Sequence, residues 1–360
     1  MRLDLEQAMR RAVELSVEVL GTTSPNPPVG AVVLGESGEV VGEGATQPPG
    51  GAHAEVMALR QAGDRAHTVV VTLEPCHHTG RTGPCTQALE RAGVRRVVFA
   101  CADPTERAGG GGAALQAAGL EVVPGLLGEE VSAGPLAAWL HRQSTGRPHV
   151  TWKYAATLDG RSAAADGTSR WVTGPLARQD VHLLRAQSDA VLVGIGTVLA
   201  DDPSLTVRPD PGHQPLRVVL DSSGRTPAFA KVLDDHAPTL VVTQGASLGD
   251  GRTLALPGDE GIDLPGLLLA LAERDVVAVL LEGGPTLAGA FWRAGLVDRV
   301  VGYVAPALLG SGPAALQDAG VGTIDEAIRL HLTDVTVLGG DLRLTMVPRS
   351  RVPSAETERA

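Results

Sequence analysis

His53-Ala54-Glu55, Pro75-Cys76 and Cys85 are the residues whose types and order point to chemistry. One imidazole and two thiolates supply three protein ligands and leave a fourth tetrahedral position for water, the composition of a catalytic rather than a structural zinc site. Zinc lowers the pKa of such a water toward 7, which makes a nucleophile available at neutral pH. His53 opens one expected helix and Cys85 the next, so both ligand clusters lie at helix N-termini, where positive potential favours thiolate over thiol. Glu55, two positions from the histidine, is placed to move protons without occupying the metal. Two buried cysteines beside a helix-capping histidine are the plain alternative. Cys101 ends an apolar strand with no partner motif and reads as a core thiol.

The ordered set His-x-Glu, Pro-Cys and Cys is the signature of zinc-dependent base deaminases. Composition bounds what surrounds it. The 360 residues suggest two domains. Three cysteines cannot form a disulfide framework in so long a chain, which fits a reduced, cytoplasmic setting. The formal charge is −11 and no stripe is dense in lysine or arginine, so a nucleic-acid partner is not expected. No run of 18 apolar residues is present, so no membrane span is expected either. Near the start, Leu5, Ala8, Met9, Ala12, Ser16, Val19 and Leu20 form a helical stripe interrupted by charges, unlike a signal peptide.

The elements that must position the ligands alternate between strand and helix. Val29–Leu34 and Val40–Gly44 read as a hairpin, Ala54–Gln61 as a helix and Thr68–Leu73 as a strand. Helix Thr86–Ala92, strand Val97–Ala100, helix Gly111–Ala118 and strand Leu120–Val123 follow, an α/β sandwich. The run Gly109–Gly112 lacks phosphate-loop spacing and reads as a flexible loop. Val131–Leu140 reads as a connecting helix before a second series. That series comprises strands Val150–Ala156, Ala190–Val193, Val218–Leu220, Leu240–Val242, Val277–Leu281 and Arg299–Val304. Helices Leu176–Leu184, Pro265–Glu273 and Thr286–Ala294 separate them, and a hairpin, Ile328–Leu338 with Leu342–Val347, closes the chain. The expected division is 1–145, 146–350 and a frayed tail 351–360.

Pro25-Asn26-Pro27-Pro28-Val29-Gly30, His53-Ala54-Glu55 and Thr72–Cys85, with Gly80-Arg81-Thr82 inside an eight-residue gap between cysteines, resemble the bifunctional riboflavin-biosynthesis deaminase/reductase family. The second half resembles the reductase of the same family in Lys153–Arg161, Ser169-Arg170-Trp171, His182–Ala186, Gly194–Pro203 and Glu282–Thr286. The resemblance implies a cytidine-deaminase-like three-layer α/β/α domain, followed by a dihydrofolate-reductase-like α/β domain that uses NADPH. It further implies zinc-dependent deamination of 2,5-diamino-6-ribosylamino-4(3H)-pyrimidinone 5′-phosphate, with Glu55 shuttling the proton, and then reduction of the ribosyl side chain to ribityl. A homo-oligomer, dimer or tetramer, is implied as well.

By the same resemblance, Asn26 reads the pyrimidine edge, while His78 and Arg81 approach the ribose phosphate. Lys153, Ser169, Arg185, Leu205, Arg208 and Glu282 surround the reductase substrate. Ala156, Trp171, Thr197, Asp201, Ser222, Gly284, Pro285 and Thr286 contact NADPH. Asn26 also suits a turn former, His77 a solvated loop residue, and Gly283-Gly284 a tight strand-to-helix turn. The chain departs from the family pattern at Gly83, where a second proline is common, and at Thr46-Gln47, where a histidine is often found.

Lysine usage gives an argument without the family. Of 30 basic residues only Lys153 and Lys231 are lysine, so an ammonium inside an apolar strand suggests a site that needs a compact cation. A carboxylate beside the Gly283-Gly284 turn repels cofactor phosphate, so Glu282 is expected to accept hydrogen bonds from ribosyl hydroxyls. The rival reading is a nucleic-acid or nucleoside base deaminase whose C-terminal half only binds. Nine aromatic residues and a net negative charge argue against its nucleic-acid form.

Overall fold

The computed structural model describes residues 1–78, 83–209, 212–246, 251–259 and 261–349. The expected frayed tail at 351–360 lies outside the described residues. Contacts divide the chain into two compact units, Met1–Arg147 and Pro148 onward.

In the first unit, α1 (Leu5–Glu18) begins at a capping box: the Asp4 carboxylate accepts from the Gln7 N–H at 2.8 Å, and the Gln7 side chain accepts from the Asp4 N–H at 3.1 Å. Strands β1 (Gly30–Leu34) and β2 (Val40–Ala45) form the hairpin, followed by α2 (Ala54–Ala62) and β3 (Thr68–Leu73). Next come α3 (Cys85–Arg91), β4 (Arg96–Cys101), α4 (Gly111–Ala117) and β5 (Glu121–Pro124). The sheet order is β2-β1-β3-β4-β5, with β1 antiparallel to its neighbours and β3, β4 and β5 parallel. Every residue of β3 is buried, as a strand covered on both faces requires.

Two glycines show how the layers stack. A β-carbon on Gly30 would overlap the Ala12 carbonyl oxygen, and one on Gly44 would overlap that of Ala54. Gly44 pairs with Ala31, the neighbour of Gly30, so these two contacts lie on opposite faces of the sheet. Helix α1 therefore covers one face and α2 the other, each main chain resting on strand main chain. Gly30→Ala is expected to destabilise this unit by about 1–3 kcal/mol through overpacking. Its denaturation midpoint, followed by deaminase loss, should fall while the second unit keeps its own.

The expected connecting helix Val131–Leu140 is instead two, α5 (Gly128–Ala133) and α6 (Ala137–Thr145), broken at Gly134-Pro135. Proline there lacks the N–H that an uninterrupted helix would use. The run Gly109–Gly112 is not a flexible loop. Its last two residues begin α4, and a β-carbon on Gly111 would overlap the Pro75 carbonyl oxygen. Gly109, Gly111 and Gly112 pack closely, while Gly110 takes a positive φ of 84° as the cap of α4.

In the second unit the chain runs β6 (His149–Thr157), α7 (Pro175–Ala186), β7 (Ala190–Gly194), α8 (Ile195–Asp201), β8 (Leu216–Leu220), β9 (Thr239–Thr243) and β10 (Thr253–Ala255). A ribbon of β11 (Pro257–Gly258) and β12 (Gly261–Ile262) precedes α9 (Leu264–Ala272), β13 (Ala278–Leu281), α10 (Pro285–Arg293) and β14 (Arg299–Ala305). The hairpin β15 (Leu330–Leu338) and β16 (Asp341–Pro348) ends it. Nine strands pair in the order β10-β9-β8-β7-β13-β6-β14-β16-β15, parallel as far as β14. The hairpin adds antiparallel to β14.

Side chains of β7 alternate between two cores. Ala190 and Leu192 pack with Leu267, Leu271 and Phe291 of α9 and α10, while Val191 and Val193 pack with Ile195 and Val198 of α8. Helix α8, absent from the expected elements, has only seven residues and follows the N-cap Gly194. Arg217 of β8 is fully buried and donates to Thr239 Oγ1, Asp234 Oδ1 and the carbonyls of Ser204, Lys231, Asp234 and Ala237.

Candidate active sites

In the first unit, His53 caps α2 and Cys85 opens α3, while Cys76 lies just past the end of β3. One ligand atom from each lies within 4.8 Å of the others. His53 Nδ1 is 3.1 Å from Cys85 Sγ and 3.6 Å from Cys76 Sγ, and the Cys85 N–H points at Cys76 Sγ from 3.4 Å. One imidazole nitrogen and two sulfurs converging from three elements fit tetrahedral zinc with an open position. The Cys85 thiol, hydrogen-bonded to Cys76, pulls the Cys76 sulfur down to about 4, with His53 assisting. The same contact, with burial, pushes Cys85 up, and the Cys76 contact raises His53. The direction at Cys76 favours thiolate, the form a metal takes.

Glu55 is buried in the first turn of α2, and burial pushes its carboxyl above the usual carboxylate range. A carboxyl raised in this direction suits acid/base work. Cys101 stands apart, its Sγ donating to the Gly128 carbonyl at 3.5 Å, in keeping with a packing role.

Asn26 sits in a turn closed by its N–H on the Thr23 carbonyl at 2.9 Å. His78 is half-buried, and its Nδ1 has no hydrogen-bond partner among the described residues, a polar atom available to a ligand. Arg81 lies outside the described residues. His77 is exposed outside any helix or strand, as expected of a solvated loop residue, with its Nδ1 3.1 Å from Thr86 Oγ1. The two departures at 46 and 47 turn inward: Thr46 Oγ1 accepts from the Val29 N–H, and Gln47 Nε2 donates to the Ala45 carbonyl.

In the second unit the candidate residues gather at the carboxyl ends of parallel strands, where open α/β sheets bind ligands. Leu281 of β13 pairs with Trp152 of β6, so Glu282 and Lys153 follow side by side. Glu282 Oε2 is 3.5 Å from Lys153 Nζ, and its two oxygens take the Arg185 fork at 2.5 and 3.0 Å. Burial works against this carboxylate, yet Arg185 and Lys153 hold it down to about 2. The expected acceptor of ribosyl hydroxyls is therefore already occupied by two cations. Arg185 also donates to the Thr206 carbonyl at 3.1 Å, next to Leu205, which adopts a positive φ of 54°. The Arg208 N–H donates to His182 Nδ1 at 3.2 Å.

The cofactor-side residues converge less tightly. Ala156 is buried near the end of β6, and Ser222 is exposed beyond β8. Thr197 Oγ1 lies 3.9 Å from where a Gly284 side chain would stand. Gly284 caps α10, whose first residues are Pro285 and Thr286. Arg170 donates to the Asp201 carbonyl at 2.6 Å, which ties the Ser169–Trp171 segment to the end of α8. The Trp171 ring is 69% exposed beneath the Arg178 guanidinium at 4.4 Å. Arg178 was not singled out in the sequence, because one arginine of α7 gives no sign of stacking on a ring seven residues away.

Residues 3–101 match the cytidine and deoxycytidylate deaminase zinc-binding region, and residues 148–344 match the RibD C-terminal domain. The riboflavin biosynthesis protein RibD of Mycobacterium tuberculosis is 51% identical over 351 residues, 96% of this chain and 98% of that protein. The chain belongs to the RibD family. Solved RibD structures agree along the whole length. That of Acinetobacter baumannii superposes with a TM-score of 0.85 at 40% identity, covering 96% of this chain and 98% of that one. A Thermotoga maritima structure, named as a diaminohydroxyphosphoribosylaminopyrimidine deaminase/5-amino-6-(5-phosphoribosylamino)uracil reductase, gives 0.87 at 34% identity with the same coverage.

As a RibD family member, the protein is a bifunctional deaminase and reductase of riboflavin biosynthesis, with a zinc-binding deaminase domain and an NADPH-using reductase domain. The match to the RibD C-terminal domain replaces the rival reading of a second half that only binds. Among the described residues no helix is long and apolar enough to cross a membrane.

Proposed function

We propose that the protein deaminates a diaminopyrimidinone bearing a ribosylamino 5′-phosphate and then reduces the ribosyl group of the product to ribityl. The observation that carries the substrate class is the charge at the carboxyl edge of the second sheet. Lys153 and Arg185 share the single carboxylate of Glu282. Arg208 adds a further positive charge, felt by His182 beside it. The excess over Glu282 is about two positive charges, the complement of a phosphate monoester near neutrality.

In the deaminase unit, His53, Cys76 and Cys85 hold zinc, which supplies Lewis-acid activation of the attacking water. Glu55 takes the proton that the water loses and delivers it to the departing nitrogen. A C–O bond forms at C2 as the C–N bond breaks and ammonia leaves. His78 offers its buried Nδ1 to the substrate, and Asn26 the pyrimidine contact.

In the reductase unit, bound NADPH would supply a hydride to C1′ as the C1′–O4′ bond breaks and O4′ takes a proton from solvent. Lys153, Arg185 and Arg208 hold the phosphate, while Ser169, Leu205 and Glu282 complete the substrate side. Trp171, Thr197, Asp201, Ser222 and the 284–286 turn, with Ala156, form the cofactor side. The unit boundary at 147/148 supports domains close to 1–145 and 146–350. The exposed apolar side chains Val335 and Val337 on edge strand β15 support self-association through this half.

Lys153→Ala tests the assignment. Loss of one charge-assisted contact, about 1.5–3 kcal/mol, is expected to raise the reductase KM for the deaminated substrate by about ten- to a hundredfold. Lys153→Arg restores this only in part, because a guanidinium is wider and differently hydrated. Separate NADPH titrations are expected to give wild-type affinity. Lost NADPH binding with an unchanged KM would place the two ligands on the opposite sides.

A further inference from the structure

Glu74 follows β3 and precedes Pro75-Cys76, and its N–H donates to the Cys101 carbonyl at 2.8 Å, which carries the β3–β4 pairing one residue further. Its side chain is buried, yet nothing in the chemistry described above uses it. Each carboxylate oxygen takes one main-chain N–H from the segment after β4. Oε1 accepts from Gly112 at 2.8 Å and Oε2 from Asp103 at 3.0 Å.

The same segment grips the residues on the far side of Glu74. The His77 N–H donates to the Ala108 carbonyl at 3.2 Å, and Gly111 lies against the Pro75 carbonyl too closely for any side chain. The segment is itself braced, since Asp103 Oδ1 accepts from the Thr105 N–H and hydroxyl. Cys76 therefore sits in a stretch of main chain held at 74, 75 and 77 by one loop. Burying a carboxylate is costly unless its oxygens are satisfied, and a strand ending here does not need one. A carboxylate is, however, a side chain of this length that can accept two diverging N–H groups at once.

We propose that Glu74 is a positioning residue for the metal centre: by holding the Asp103 and Gly112 N–H groups it fixes the main chain that presents Cys76 Sγ to His53 and Cys85. Glu74→Gln keeps the size but leaves one acceptor oxygen and turns an NH2 toward a main-chain N–H. The brace opens on one side, and Cys76 is presented less uniquely.

The test uses the full-length protein and measures zinc affinity by competition with a chromophoric chelator, together with the visible spectrum of the cobalt(II)-substituted form. Glu74→Gln is expected to raise the zinc dissociation constant about 10- to 100-fold, the scale for residues that support metal ligands from behind. Its cobalt bands should shift, while reduction of pre-deaminated substrate stays at the wild-type rate. Met9→Ala removes a buried side chain from α1 of the same unit, far in sequence from the brace. It is expected to lower thermal stability without changing either metal readout.

Should Glu74→Gln fail to fold, Gly112→Ala decides. Its added methyl stands 3.3 Å from Glu74 Oε1 and 3.0 Å from the Phe99 ring, in a helix that alanine otherwise favours. It is expected to loosen zinc severalfold. Wild-type affinity and spectrum in the folded Glu74 variant, or in Gly112→Ala where that variant does not fold, would overturn the proposal. So would an equal loosening of zinc in Met9→Ala.

Discussion

Cys85→Ser is expected to lose both zinc and ammonia release, while NADPH oxidation on pre-deaminated substrate continues. Three ligands leave no redundancy, so removing one sulfur takes the metal below the donor set that holds it at neutral pH. The second unit has its own core and its own strand order, which is why its turnover survives. Glu55→Gln is the necessary contrast. Zinc should remain at about one per chain while deamination falls at least about 10²-fold, the usual scale for a lost general acid/base. Metal analysis beside an ammonia assay separates the two roles. Release of zinc from Glu55→Gln would make Glu55 a ligand, and a metal-free wild-type protein that still deaminates would remove zinc from the account.

Glu282→Gln is expected to strike the other unit with similar force. Lys153 and Arg185 lose their shared carboxylate, and breaking a buried ion pair from one side costs about 3–5 kcal/mol. Arg185 also holds the Thr206 carbonyl, so the loop bearing Leu205 and Arg208 loses an anchor together with the charge. Reductase kcat/KM for substrate is expected to drop by about 10²-fold or more, with NADPH affinity nearly unchanged. The native protein carries the same information in its acid response. Glu282 is depressed from its ordinary value to about 2 in the folded state, so its stabilisation is complete above about pH 4.5. It is lost as the pH falls toward 2. Urea midpoints of wild type and Glu282→Gln should therefore converge at low pH and diverge near neutrality.

Much of this was legible in the sequence, and most of the exceptions are contacts between distant segments. The metal ligands and Glu55 are spread over 32 residues, yet His-x-Glu, Pro-Cys and Cys at element ends form an ordered motif that the sequence displays. Strands such as Thr68–Leu73 announce themselves because a strand buried on both faces is an unbroken run of β-branched and apolar residues. Contacts between distant segments leave no such trace. Arg185 and Glu282 are 97 residues apart, so the sequence gives no sign that two cations share this carboxylate. Gly109–Gly112 looked loose because glycine serves mobility and close packing equally, and only the nearness of the Pro75 carbonyl decides between them. Glu74 passed unnoticed as one more acidic residue at a strand end. Helix α8 is too short for its periodicity to show.

Arg217 has a consequence for how the second unit opens. Its guanidinium reaches main-chain carbonyls at 204, 231, 234 and 237 together with the Thr239 hydroxyl, so two stretches of chain, at 204 and at 231–239, meet on one planar group. Neither of these segments can swing outward alone without leaving a buried cation short of acceptors. Their amide hydrogens should then exchange with solvent in a single concerted event rather than as independent frayed loops. The Ser204–Arg208 stretch, which carries Leu205 and Arg208, inherits that protection. Its slow breathing is governed by an arginine well inside the sheet rather than by its own exposed turns.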